Sequence, residues 1–137
     1  MNEERLLEAV RVARQIDCRE FAMETWRCGT TACVIGHCAN DRWFRANGLT
    51  AGVSGEPVCD GKRSWDAVEK FFDIASETSH HLFDHEHYEE PLCDISPEMV
   101  AQRIEAFVAS VNCTKSVREA ITQSIERRPE PCLTERP

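Results

Sequence analysis

Over residues 3–17 apolar positions recur at helical spacing. Leu6, Leu7, Val10, Ala13 and Ile16 fall on one face and Glu4, Glu8, Arg11 and Arg14 or Gln15 on the other, which predicts an amphipathic first helix. From 19 to 27 the pattern partly alternates, with Phe21, Met23 and Trp26 among polar neighbours, as in an extended connector whose aromatics plug a core. Residues 31–46 then read as a central helix. Ala32, Cys33, Ile35, Gly36 and Ala39 are small or apolar, Thr30 or Thr31 supplies an N-terminal cap, and Asn47 with Gly48 supplies the stop.

Residues 49–63 carry Gly52, Gly55, Gly61 and Pro57, which predicts a long loop or a short hairpin around Val53 and Val58. Helical spacing returns at Ser64, a candidate cap, and buries Trp65, Val68, Phe71, Phe72 and Ile74. A short helix beginning at Ser76 or Thr78 carries His80, His81, Leu82 and Phe83 into a turn over 84–91. Ser96, Pro97 and Glu98 combine a hydroxyl cap, a first-turn proline and an acid at the positive end of the dipole. The stripe of Val100, Ile104, Phe107, Val108 and Val111 follows, to about Asn112. A last helix from Thr114 uses Val117, Ile121 and Ile125 before Pro129 and Pro131. The sum is an all-α fold: a compact single domain of five to six short helices over residues 1–128, with a Gly-rich loop or small hairpin insertion. A Pro-rich tail, expected to be mobile, covers 129–137.

Composition narrows the setting. The 137 residues suffice for one core, and 16 basic against 24 acidic side chains leave a net charge of −8. That balance argues against direct nucleic-acid binding and suits a basic protein partner. Eight cysteines invite a disulfide framework, but MNEERLLEAV lacks the apolar run of a signal peptide, so a cytoplasmic protein with reduced thiols is expected. No apolar stretch approaches the length of a membrane span, and no membrane association is expected. Oligomeric state is not legible.

The candidate chemistry sits in two places. Residues 28–38 read CGTTACVIGHC, where Gly29, Thr30 and Thr31 at the expected helix start form a candidate site for a small anionic ligand. Cys28, Cys33 and His37 have spacing that a zinc ion could use, although paired short-spaced ligand motifs are lacking. The plainer reading is that these thiols pack as small apolar groups. Residues 80–90, HHLFDHEHYEE, hold four of the five histidines. There His81, His85 and His87 are candidate metal ligands or acid–base groups, with Cys93 available to complete a site, against the alternative of solvated surface histidines. Thiol redox chemistry at Cys28 and Cys33 is a third possibility, weakened by the absence of a two-residue separation.

Trp26 followed by CGTTACVIG resembles the mark of a family of small proteins of bacteria and their phages, CGTxACxxG preceded by a tryptophan. The segments FFDIASETSHHLF, 71–83, and ISPEMVAQRI, 95–104, are similar to the family's continuation and occur in the same order. The likeness covers most of the chain from Phe21 onward. It implies a small helical domain with Cys28, Gly29, Thr30, Ala32, Cys33 and Gly36 as shared positions, and members often carry a tryptophan or histidine where His37 stands. The family has no established activity. The expectation is therefore a non-enzymatic binding or regulatory protein, such as a phage accessory protein that engages a host protein or sequesters a small anionic ligand. The alternative is a zinc-binding domain or metal-dependent hydrolase built on the Cys and His residues.

Overall fold

The computed structural model describes residues 1–127, so the expected tail at 129–137 lies outside the described residues. Six α-helices occur among the described residues: α1 (Glu3–Gln15), α2 (Val34–Cys38), α3 (Arg42–Ala46), α4 (Ser64–Phe72), α5 (Ser76–Phe83) and α6 (Pro97–Arg127). Strands β1 (Thr50–Ala51), β2 (Pro57–Cys59) and β3 (Lys62–Arg63) form an antiparallel sheet in that order, with Val58 facing Thr50 on one side and Arg63 on the other. The fold is thus helix-rich rather than all-α. The expected loop or hairpin is a three-stranded meander packed on α4 through β2. Val53, expected at the heart of a hairpin, is fully exposed in the β1–β2 connection.

Two units divide the chain. The first, Met1–Ala106, contains every element up to the N-terminal part of α6; the second begins at Phe107 and, among the described residues, is the rest of that helix. No helix among the described residues is long and apolar enough to cross a membrane.

Local chemistry explains the first unit's elements. Asn2 caps α1 by accepting from the Arg5 amide at 3.1 Å, and Glu3 and Glu4 complement the positive end of the dipole. The helix buries Leu6, Ala9, Val10, Val12 and Ala13, whereas Leu7 is 42% exposed, so the apolar face is rotated toward Val12. The expected central helix is two short ones. Asp41 accepts from the Trp43 and Phe44 amides at 3.0 and 3.3 Å, which starts α3 afresh after the turn at 39–41. Ser64 does not cap α4 through its side chain; Arg63 holds the capping position without a side-chain bond.

The expected last two helices are one. The Thr114 hydroxyl donates to the Ser110 carbonyl at 3.1 Å, which satisfies it inside the helix rather than at a cap, and no glycine or proline interrupts α6 before Arg127. Val117 and Ile121, in the second unit, are more than half exposed.

An aromatic cluster occupies the centre of the first unit. Phe71 lies 5.1 Å from Phe72 and 5.5 Å from Phe44, and Phe83 stacks on Phe72 at 5.5 Å. Leu6, Ile35, Leu49, Leu82 and Ile104 complete a core of fully buried side chains. Each such side chain contributes about 1.5–3 kcal/mol by leaving water.

Candidate functional site

The connector that precedes α2 fixes the site. The Ala22 amide donates to the Ala32 carbonyl, the Ala32 amide to Glu20, and the Cys33 amide to Thr25 at 2.9 Å, so residues 20–26 lie along the entry to α2. Cys28 and Thr31 exchange both backbone bonds and close a tight turn in which Gly29 takes a φ of 65°. The helix starts later than its threonines suggest. Cys33, not Thr30 or Thr31, is the N-cap, its thiol accepting from the Gly36 amide at 3.4 Å.

With the connector so placed, Trp26 meets Trp65 of α4 edge to face at 5.1 Å, and Trp65 stacks on His80 of α5 at 4.2 Å. His80 donates from Nδ1 to the Ser76 carbonyl at 3.2 Å, which leaves Nε2 4.0 Å from Asp84 Oδ2. Asp84 also accepts from the Glu86 amide at 3.0 Å and so is held at the exit of α5. Trp26, Trp65 and Asp84 border a pocket of about 200 Å³. Its apolar walls are Met23, Trp26, Trp65 and Phe83; Glu24, Asp84 and His85 supply the ionisable groups, and Cys33 lies against it. Both tryptophans are half-buried, so part of each indole remains accessible.

Burial pushes the Cys33 thiol up to about 11, against smaller opposing effects of backbone bonds and Arg27. Cys38 is likewise raised well above the ordinary thiol value by burial. Near neutral pH both are thiols rather than thiolates.

Of the residues singled out from the sequence, Cys33 and His85 share this pocket. The others lie elsewhere. Cys28, Gly29 and Thr30 are exposed in the tight turn, and the Thr31 amide is engaged with the Cys28 carbonyl at 3.0 Å. His37 donates from Nε2 to the Glu20 carbonyl at 2.7 Å. His81 is exposed, and its basicity is lowered by burial of part of the ring, then by Arg103 and His87. Among the described residues, no three His, Cys, Asp or Glu side chains gather in an arrangement that could hold a metal ion.

Arg103 organises the rest of the histidine segment. Its Nη1 donates to the His81 and His87 carbonyls at 2.8 and 2.7 Å, and its guanidinium lies 3.6 Å above the Tyr88 ring. The Tyr88 hydroxyl in turn donates to the Leu82 carbonyl at 2.7 Å. The segment after α5 is therefore pinned to α6, which keeps Asp84 and His85 in place.

The pairing of Trp26 with Trp65, and the acids Glu24 and Asp84 beside them, were not visible as a site in the sequence. Trp65 reads there as one more buried member of an apolar stripe. No family model, curated protein or solved structure matches the chain.

Proposed function

We propose that the protein is a non-enzymatic binding protein whose recognition site is the pocket between the Trp26–Trp65 pair and the Asp84–His85 segment. The observation that carries this reading is the meeting of two half-buried tryptophans, from distant parts of the chain, on one concave surface with polar groups converging beside them. Cys33, the thiol on that surface, is held protonated by burial, which makes it a poor nucleophile and favours binding over covalent chemistry. The motif resemblance adds a setting, that of an accessory protein acting in a bacterium or its phage, with a host protein or a small ligand as partner. The anion reading at Gly29, Thr30 and Thr31 has less support, because the helix begins beyond them and the Thr31 amide is engaged.

A zinc site, or a metal-dependent hydrolase built on one, is the second reading. It draws on Cys33, Asp84 and His85 lining the same pocket, and would need them to draw together, since they are not gathered as metal ligands among the described residues. Native mass spectrometry of chain purified without chelator, then mixed with a pool of small charged molecules, separates the two. A retained small-molecule adduct that disappears in Trp65→Ala is the expected result. A stoichiometric zinc-sized increment would transfer the function to a metal centre, and a spectrum free of any adduct would remove the small-ligand form of the proposal.

A further inference from the structure

We propose, building on the binding reading above, that the pocket takes a small free organic cation, an alkylammonium compound. The lining supplies both halves of such a site. Trp26 and Trp65 line the pocket with indole, the aromatic type that attracts a cation most strongly. Their planes meet at 61°, forming a corner rather than a flat stack, and with one face of Trp65 stacked on His80 the cation meets Trp26 and the remaining Trp65 surface. Glu24 and Asp84 supply two carboxylates, and no lysine or arginine is among the lining residues.

Charge decides between ligand classes. An anion entering this space would face two carboxylates with one imidazole, His85, but no lysine or arginine in the wall, and a neutral ligand would leave their field unused. A cation gains from the carboxylates and from the ring quadrupoles together. The chain's net charge of −8 further raises the local concentration of cations.

Size limits what can enter. The pocket's 200 Å³ falls below the range of roughly 300–1,000 Å³ usual for drug-sized ligands, so it holds a compact group of few heavy atoms. A quaternary ammonium is weakly hydrated and fits an aromatic corner without needing directed hydrogen bonds, whereas a bare metal ion needs a set of three or more ligands.

The test is isothermal titration calorimetry of the full chain with choline and, separately, with its neutral analogue 3,3-dimethylbutan-1-ol, which has the same shape. Choline is expected to bind saturably and about tenfold more tightly than the alcohol, the order that cation–π attraction with a carboxylate provides. Trp65→Phe, Glu24→Gln and Asp84→Asn should each weaken choline binding while leaving the far-ultraviolet circular dichroism unchanged. Equal affinity for the two compounds would overturn the cation assignment and leave the binding reading standing. Binding of an arginine-containing peptide without binding of choline would overturn the free-molecule assignment in favour of a protein partner. No saturable response to any of the three would remove the cation assignment, and the pool experiment above would then judge the binding reading separately.

Discussion

Gly36 lies directly beneath the backbone carbonyl of Trp26: a Cβ at this glycine would overlap that oxygen and sit 2.8 Å from the Ala32 side chain. The glycine therefore sets how closely the connector approaches α2, and with it where Trp26 stands relative to Trp65. Backbone atoms, unlike the end of a flexible side chain, cannot swing aside. Gly36→Ala should lower the unfolding free energy by about 1–3 kcal/mol or more in urea titrations and shift the tryptophan fluorescence. Gly29→Ala is the contrasting case, since its Cβ would meet open space and its φ of 65° carries the strain alone. It should lose about 1–2 kcal/mol and leave the Trp26 environment unchanged.

The rotated face of α1 gives a second prediction. Leu6 is fully buried and its neighbour Leu7 is not, although the sequence pattern groups them. Leu6→Ala should cost about 2–5 kcal/mol, and Leu7→Ala should stay within about 0.5 kcal/mol of the parent. Comparable losses at both positions would contradict the packing of α1 described above.

The buried thiols predict alkaline sensitivity. Burial raises Cys33 from an ordinary 9.0 to about 11, and raises Cys38 well above its own ordinary value. The folded chain thus holds these protons more tightly than the unfolded chain. The stability they contribute is complete below about pH 9 and is lost as pH climbs through the folded values. Unfolding free energy should decline between about pH 9 and 11. Cys33→Ser keeps an acceptor for the Gly36 amide and should flatten part of that decline. In alkylation followed by mass spectrometry at pH 8, the exposed Cys18, Cys28, Cys93 and Cys113 should react rapidly, and Cys33 and Cys38 only after unfolding.

Arg103 should behave as the fastener of the histidine segment. Its two carbonyl bonds and its place over Tyr88 are lost together in Arg103→Ala, a change of about 1–3 kcal/mol. Lysine has a positive charge but no planar fork for two carbonyls, so Arg103→Lys should restore only part of this. Amide exchange at His87 and Tyr88 should quicken in both variants, more in the alanine one.

What the sequence revealed follows from how local each signal is. The faces of α1 and α4 repeat over several turns, and their existence and approximate extent follow from periodicity alone. At 31–46 the small apolar run from Ala32 to Ala39 continues smoothly into Trp43 and Phe44, which conceals the break; Asp41, a strong capping residue, was the signal that a new helix begins. In α6 the error ran the other way, because Thr114 resembles a cap yet returns its hydroxyl to Ser110 within a continuous helix. Cys33 and His85 were visible as chemistry-bearing residues, but the pocket they share was not. It depends on bringing the connector, α4 and the end of α5 together, which no local spacing encodes.

The central claim is best tested through the three indole N–H resonances, since Trp26 and Trp65 line the pocket while Trp43 packs against Phe44 at 5.2 Å outside it. Two-dimensional ¹H–¹⁵N spectra of the full chain would be recorded during separate titrations with choline, its neutral analogue and inorganic phosphate. Saturable movement of the Trp26 and Trp65 signals with at least one probe, while Trp43 stays still, is the predicted result. Stationary signals with all three probes, or a Trp43 shift that saturates in parallel with the other two, would contradict the assignment of this pocket as the recognition site.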